Sequence, residues 1–258
     1  MNPCFGTSYT SPNHPTPSFP SLRFYSKLIG IFISEGIKAS KSYTGDDWVH
    51  ASMRVLRALE SSGVKLTIEG MEQITALDTP AIFIGNHMST LETFILPALV
   101  QSRKDVTFVV KESLVRYPFF KHVLLSRDPI IVGRANPRED LKNVLNGGLE
   151  RLQAGRSIII FPQSTRATQL NKRHFNTIGV KLAKKAQVPV IPVALKTDAW
   201  SQGKRIKDLG PILPNVPVHI TFGAPLAIES TNGKEEHEQI YNFIEAHLNT
   251  WTHNALTP

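Results

Sequence analysis

From residue 64 onward, short apolar segments rich in β-branched residues alternate with longer segments of helical periodicity. The strand-like segments are residues 64–68, 81–84, 106–110, 130–132, 157–161, 190–195 and 218–222. The helical patterns are residues 90–101, 112–125, 137–153 and 175–186, with a last helix at about 234–250. This alternation predicts an α/β fold with a largely parallel, buried central sheet flanked by helices.

The region before this alternation divides into two parts. Residues 1–20 contain five prolines and many Ser and Thr, so we expect a disordered tail without a signal peptide. Residues 21–62 form two amphipathic helical patterns, which precede an α/β domain at residues 63–258. No apolar run approaches the roughly 20 residues that span a bilayer.

The first amphipathic pattern, residues 22–41, has a narrow basic stripe. Arg23, Lys27, Lys38 and Lys41 fall within a sector of about 60° on a helical wheel, and apolar side chains fill most of the remainder. Such a helix either lies in a membrane interface or docks on the protein's own core with a solvated charged face. Trp48 in the second pattern could lie at a headgroup boundary or pack against the first helix.

Charge and cysteine content exclude several classes of function. The chain has 258 residues and a formal net charge of +8, which favours anionic partners. Its only cysteine, Cys4, lies in the tail, so a disulfide framework, a Cys-rich metal site and a core thiol nucleophile are excluded. A nucleic-acid partner is not expected, because no recognised motif accompanies the charge. An esterase is disfavoured, because the chain contains no Gly-x-Ser-x-Gly elbow.

His87 is the best candidate for a general base, since it follows an apolar strand and precedes Glu92 by five residues. Imidazole can take the proton of a hydroxyl near neutral pH, and a carboxylate on its other nitrogen would fix the tautomer. Within one helix the two side chains would point about 140° apart, so His87 must lie in the loop before the helix. Ser89 could then cap that helix.

The same segment has a purely structural interpretation. Ser89 and Glu92 match the capping-box pattern, in which the glutamate only satisfies a backbone N–H group. Glutamine also caps at that position. We therefore expect Glu92→Gln to preserve stability, and to lower activity only if the His87–Glu92 dyad is real.

Other polar groups also follow strands, where ligand sites of open α/β sheets gather. Lys111 ends one strand, and Pro162-Gln163-Ser164-Thr165-Arg166 follows another. Arg166 could form paired, charge-assisted hydrogen bonds with a phosphate, supported by the nearby hydroxyl and turn N–H groups.

Four ordered segments resemble the sequence blocks of the glycerolipid acyltransferase family, which includes the 1-acylglycerol-3-phosphate acyltransferases. They are Asn86-His87 with Glu92, Lys111-Glu-Ser-Leu114, Phe161-Pro-Gln-Ser-Thr-Arg166 and Val188-Pro-Val-Ile-Pro-Val193. The resemblance covers roughly residues 64–225.

The resemblance implies transfer of a fatty acyl group from a thioester, acyl-CoA or acyl carrier protein, to a lysophospholipid or glycerol phosphate hydroxyl. His87 would be the general base and Glu92 its orienting carboxylate. Lys111 and Arg166 would bind phosphate, with Gln163, Ser164 and Thr165 in the same substrate site.

The family pattern requires no metal, no cofactor beyond the acyl donor and no covalent acyl-enzyme. It also implies that residues 21–62 bind the enzyme peripherally to an anionic membrane surface, on its cytoplasmic face.

Two departures from the family pattern bear on the acceptor. The family usually has Asp where this chain has Glu92, a difference of one methylene that loop adjustment can absorb. It usually has Glu-Gly where this chain has Gln163-Ser164, which leaves the pocket more cationic. The change leaves open a different acceptor, or a non-catalytic lipid-binding relative.

Overall fold

The structure, a computed structural model, describes residues 6–116, 121–133, 135–163 and 165–254. The strands in these ranges are β1 Tyr9–Thr10, β2 Leu66–Glu69, β3 Ile82–Gly85, β4 Val106–Lys111, β5 Ile130–Val132, β6 Ser157–Ile160, β7 Val190–Lys196 and β8 Val218–Phe222. The helices are α1 Pro20–Ala39, α2 Gly45–Glu60, α3 Glu72–Thr75, α4 Leu91–Val100, α5 Lys121–Leu125, α6 Pro137–Gln153, α7 Ile178–Ala186 and α8 Lys234–Asn254. Short 3₁₀ helices span Glu112–Arg116 and Lys172–His174.

All eight strands belong to one sheet in the order β1-β2-β8-β7-β3-β6-β4-β5. The pairs β1–β2 and β7–β8 are antiparallel, and the other five are parallel. The predicted α/β fold with a largely parallel sheet is therefore confirmed. Because β7, β3, β6 and β4 run in one direction, their carboxyl ends meet at one edge of the sheet.

Helices cover both faces of the sheet, as its apolar strands require. Phe83 of β3 packs into a core formed with α1, α2 and α4. Its neighbours Ile82 and Ile84 pack on the other face, with side chains of α6, α7 and α8. This alternation follows from the two-residue side-chain period of a strand and explains why β3 is apolar on both faces.

The predicted pair of N-terminal helices is present as α1 and α2. A capping box starts α2, because the Thr44 hydroxyl accepts from the Asp47 N–H while the Asp47 carboxylate accepts from the Thr44 N–H. Trp48 is buried, edge-on to Phe108 of β4 and beneath the Arg127 guanidinium, and so does not lie at a headgroup boundary. No helix in the described ranges is both long and apolar enough to cross a bilayer.

The N-terminal segment differs from the predicted disordered tail at residues 9–11. Strand β1 pairs with β2, and the Ser11 hydroxyl accepts from the Leu66 N–H at 2.8 Å. Tyr9 donates to the buried carboxylate of Glu60. A two-residue edge strand has no hydrophobic period, and its partners are about 50 residues away, so composition could not indicate it. Residues 1–5 lie outside the described residues.

The predicted helices at 112–125 and 175–186 are among those whose bounds differ in the structure. Within 112–125, a 3₁₀ helix and the five-residue α5 flank residues 117–120, which are not among those described. The predicted helix at 175–186 begins only at Ile178, because the Asn176 side chain accepts from the Ile178 N–H and turns the chain.

Candidate active site

The site forms where the chain leaves the adjacent strands β3, β6 and β7. Asn86, just after β3, is buried and fastens this strand end to β7. Its amide donates to the Leu195 carbonyl at 2.7 Å and its amide oxygen accepts from the Leu195 N–H at 2.9 Å. This pair fixes the start of the loop that carries His87.

The structure places His87 in that loop and Glu92 in the first turn of α4. Nδ1 of His87 lies 3.0 Å from Oε1 of Glu92. Because α4 begins at Leu91, His87 lies outside the helix, as the five-residue spacing required. The two side chains proposed as a dyad are therefore in contact.

Glu92 is completely buried, yet only hydrogen-bond donors surround its carboxylate. Oε1 accepts from the N–H groups of Met88 and Ser89, at 2.6 and 2.9 Å. Oε2 accepts from the Ser89 and Thr197 hydroxyls, at 2.9 and 2.7 Å. Burial raises the pKa of Glu92, but His87, Thr197 and Ser89 together outweigh it and hold the pKa below its usual range. The carboxylate is thus kept ionised.

The geometry of Glu92 is compatible with both the capping and the dyad interpretation. Glu92 accepts from the Ser89 N–H, which is the carboxylate half of a capping box. The predicted cap is displaced by one residue: Thr90 occupies the N-cap position without capping through its side chain, and the Ser89 hydroxyl accepts from the Leu91 N–H. One carboxylate therefore closes the helix start and contacts His87.

Three further contacts hold His87 in place. Its backbone N–H donates to Oε1 of the buried Gln163 at 2.6 Å, and its carbonyl accepts from the Ala167 N–H at 2.9 Å. The imidazole stacks on the Phe161 ring, with centroids 4.5 Å apart and planes 8° apart. Nε2 makes no hydrogen bond with any described residue. This nitrogen is available to a substrate.

The predicted phosphate ligands occupy two positions. Arg166, mostly buried, donates to the Thr90 hydroxyl and to the Asp208 carboxylate. Lys111 is exposed at the end of β4 and makes no ion pair with the rest of the described chain. Thr165 is exposed, and Ser164 lies outside the described residues.

Sequence reasoning missed Thr197 and Asp208. Thr197 immediately follows β7, so the strand-end argument applied to the other segments would have found it. Asp208 lies in a surface loop 42 residues beyond Arg166, and no sequence pattern links the two. No group of three His, Cys, Asp or Glu side chains suited to a metal ion occurs in the described ranges.

The fold and this strand-end site define an acyltransferase domain, and comparison with known proteins agrees. The family model described as Acyltransferase matches residues 65–196, just over half of the chain. The chain therefore belongs to the glycerolipid acyltransferase family, and it is an O-acyltransferase of phospholipid biosynthesis.

Individual relatives agree with this assignment. The chain is 28% identical over 202 residues to a 1-acyl-sn-glycerol-3-phosphate acyltransferase of Pseudomonas aeruginosa, covering 77% of this chain and 76% of the relative. It is 30% identical over 131 residues to the chloroplastic 1-acyl-sn-glycerol-3-phosphate acyltransferase LPAT1 of Arabidopsis thaliana, covering 51% of this chain and 36% of that protein.

A solved structure shares the fold. The crystal structure of the 1-acyl-sn-glycerophosphate acyltransferase PlsC from Thermotoga maritima superposes with a TM-score of 0.67 at 20% identity. The match covers 90% of this chain and 95% of that one.

Proposed function

We propose that this enzyme transfers a fatty acyl group from acyl-CoA or acyl carrier protein to the free hydroxyl of 1-acylglycerol-3-phosphate. The observation that carries the proposal is the His87–Glu92 contact of 3.0 Å at the carboxyl edge of the sheet, with Nε2 of His87 making no hydrogen bond to a described residue. The relatives' names supply the acceptor, since those proteins are described as 1-acyl-sn-glycerol-3-phosphate acyltransferases.

In the proposed reaction, Nε2 of His87 takes the proton of the acceptor hydroxyl as its oxygen attacks the thioester carbonyl. The new C–O bond forms and the C–S bond breaks, and the imidazolium returns its proton to the leaving thiolate. Glu92 holds the Nδ1 proton and stabilises the imidazolium charge while it exists. The step consumes no cofactor and needs no acyl-enzyme.

The acceptor phosphate is assigned to Arg166, with Lys111 as a second cation. A guanidinium can bind two phosphate oxygens at once, and Lys111 has no ion-pair partner among the described residues. Arg166 also bonds to Thr90, two residues before Glu92, which connects the phosphate site to the dyad. Thr165 and Ser164 belong to the same proposed site by sequence.

Helix α1 supports peripheral binding to an anionic membrane. It buries Phe24 and Leu28 against the core but exposes a second apolar stripe, which runs along the other side of the helix. This stripe consists of Leu22, Ile29, Ile33 and Ile37, each at least 49% exposed. Exposed Arg23 borders it on the helical wheel, whereas Lys27 and Lys38 lie on the side that faces α2, where they contact Ser61 and Asp47. Apolar contact bordered by a cation suits a helix in a headgroup interface, and we place it on the cytoplasmic face.

The activity is tested with the purified full chain, labelled acyl-CoA or acyl carrier protein, and 1-acylglycerol-3-phosphate, with products identified by mass spectrometry. We expect His87→Ala to lower turnover by about a hundredfold or more. His174→Ala, in the exposed 3₁₀ helix Lys172–His174, is the matched control and should be fully active. Turnover by folded His87→Ala at the wild-type rate would exclude His87 as the base.

A further inference from the structure

Residues 201–211, called here the 201–211 loop, leave the domain and return to the same point. Trp200 and Ile212 form an antiparallel bridge at its base, where the Ser201 N–H also donates to the Pro211 carbonyl at 3.2 Å. Gly210 permits this closure, because a Cβ atom there would lie 1.9 Å from the Ser201 carbonyl oxygen. These contacts hold the two ends of the loop together.

One side chain of this loop reaches into the proposed phosphate site. The Asp208 carboxylate accepts from Nη2 of Arg166, and its Oδ1 also lies 3.4 Å from the Thr90 hydroxyl. A carboxylate and a phosphate compete for the same guanidinium fork, because both present paired anionic oxygens. Asp208 thus binds the Arg166 guanidinium that an acceptor phosphate would need.

The outer side of the loop has the composition of a lipid-binding surface. Ile206 and Leu209 are 56% and 52% exposed. The remaining exposed residues include three cations, Lys204, Arg205 and Lys207. Paired apolar side chains among cations match an anionic bilayer, which accepts apolar groups below its headgroups and attracts Lys and Arg at its surface.

The loop is also fastened to the N-terminal part of α1. The Tyr25 hydroxyl donates to the Gly210 carbonyl at 2.5 Å, and the Ile212 N–H donates to the Ser21 hydroxyl at 3.0 Å. Phe24 packs edge-on to Trp200, with ring centroids 4.9 Å apart. These contacts therefore attach the loop to the helix that is proposed to bind the membrane.

We propose that the 201–211 loop is a membrane-operated latch on the acceptor site. In the closed state, in water, Asp208 stays bound to Arg166 and blocks phosphate binding. On an anionic bilayer, Ile206, Leu209 and the three cations bind lipid and the loop shifts. This opening frees Arg166 to bind phosphate. The inference rests on the proposed function of Arg166 as the phosphate ligand. It predicts that the acceptor site opens at the surface where the lipid acceptor is found.

The closed state is tested without catalysis, by calorimetric titration of the full chain with sn-glycerol 3-phosphate in lipid-free buffer. We expect Asp208→Asn to bind about fivefold to tenfold more tightly than wild type, since it removes one partly exposed ion pair. Asp128→Asn removes a carboxylate from a remote arginine, Arg151, and should leave binding unchanged. Unchanged or weaker binding by Asp208→Asn would overturn the latch and make Asp208 a support for Arg166.

Opening is tested by hydrogen exchange of the 201–211 loop, with and without vesicles containing phosphatidylglycerol. We expect the vesicles to change exchange across the loop in wild type, and this change to disappear in Ile206→Ser/Leu209→Ser. The same vesicles should bring wild-type affinity for glycerol 3-phosphate close to that of Asp208→Asn. Bound vesicles without either effect would contradict membrane operation.

An activity assay separates the latch from the proposed function. With a short-chain, water-soluble 1-acylglycerol-3-phosphate, Asp208→Asn should raise kcat/KM about fivefold to tenfold, and on anionic vesicles by less than about twofold. An equal gain in both formats would refute membrane operation. No turnover by wild type with either acyl donor would count against the proposed function, while the titration and exchange experiments would still decide the latch.

Discussion

Nδ1 of His87 lies 3.0 Å from Oε1 of Glu92, although residues five apart in one helix would point in different directions. The contact exists because α4 begins at Leu91 and leaves His87 in the preceding loop. Glu92 is in turn surrounded by backbone N–H groups and hydroxyls, so its position is fixed independently of His87. A carboxylate fixed in this way can orient an imidazole.

Replacing Glu92 by glutamine should lower both activity and stability. Backbone N–H groups donate to both carboxylate oxygens, so the glutamine NH₂ group would face at least one N–H donor in either orientation. We expect a loss of about 1–3 kcal/mol in the free energy of unfolding and a drop in turnover of about a hundredfold or more. This differs from the preserved stability expected from the capping box alone.

The control for this substitution is Glu92→Asp, which keeps the charge and matches the usual family residue. It should retain clearly more turnover than Glu92→Gln. Urea unfolding and acyl-transfer assays on both variants decide the point. Full activity of Glu92→Gln would mean that the carboxylate only closes the start of α4.

Thr197→Val should reduce activity by loosening Glu92, both directly and through the Ser89 hydroxyl that also bonds to Thr197. The substitution preserves shape but removes the hydroxyl that donates to Oε2 of Glu92 at 2.7 Å. We expect about 1–2 kcal/mol of destabilisation and about a tenfold fall in kcat. Thr107→Val removes a similarly buried hydroxyl that donates to the Asp128 carbonyl, far from the site, and serves as the control. Equal turnover of the two variants would exclude a positioning role for Thr197.

Gln163→Glu should move the pH dependence of catalysis. Oε1 of Gln163 accepts from the His87 N–H at 2.6 Å, and a glutamate could accept the same bond while adding a negative charge near the imidazole. That charge favours the protonated ring, which cannot act as a base, so the acidic limb of kcat/KM should shift to higher pH. Gln163→Met, without charge or acceptor, should lower kcat without this shift. An unmoved limb in Gln163→Glu would argue against His87 as the base.

The strand and helix pattern was predictable because it depends on local periodicity. Residues 130–132 and 218–222 were predicted with the bounds that the structure shows. The strand-end rule also predicted His87 and Arg166 as site residues, since parallel strands bring their carboxyl ends together, and their roles stay predictions. Asp208 was not predictable, because its contact with Arg166 depends on the folded path of the 201–211 loop.

For the N-terminal helices, too, the local pattern was predictable and the packing was not. Their amphipathic character was clear from the sequence, but both membrane and core positions suited α1 and Trp48. The structure buries Trp48, whereas α1 buries one apolar side and exposes another around Ile29 and Ile33. Which apolar side chains face the core depends on packing with α2, and a single helix pattern does not contain that information.

Lowering the pH from about 4 to about 2 should weaken the junction between α1 and α2. Asp47 binds Lys38 of α1 and caps α2 at Thr44, and these contacts lower its pKa from 3.8 to about 2. A carboxyl with a lowered folded-state pKa contributes stability above its unfolded value, and the contribution is lost as pH falls toward about 2. Asp47→Asn should therefore flatten the decline in stability between about pH 4 and pH 2. Urea unfolding at several pH values measures it, and an unchanged slope would contradict the assignment.

Membrane binding should depend on the exposed stripe of α1. Ile29 and Ile33 are 57% and 49% exposed, so Ile29→Ser/Ile33→Ser removes apolar surface that the fold does not bury. We expect the double variant to keep wild-type thermal stability and to bind vesicles containing phosphatidylglycerol about tenfold more weakly. Ile131→Ser, at an exposed apolar residue of β5, is the control and should bind normally. Vesicle flotation measures the effect. Equal flotation of the double variant and wild type would exclude the exposed side of α1 as the membrane contact.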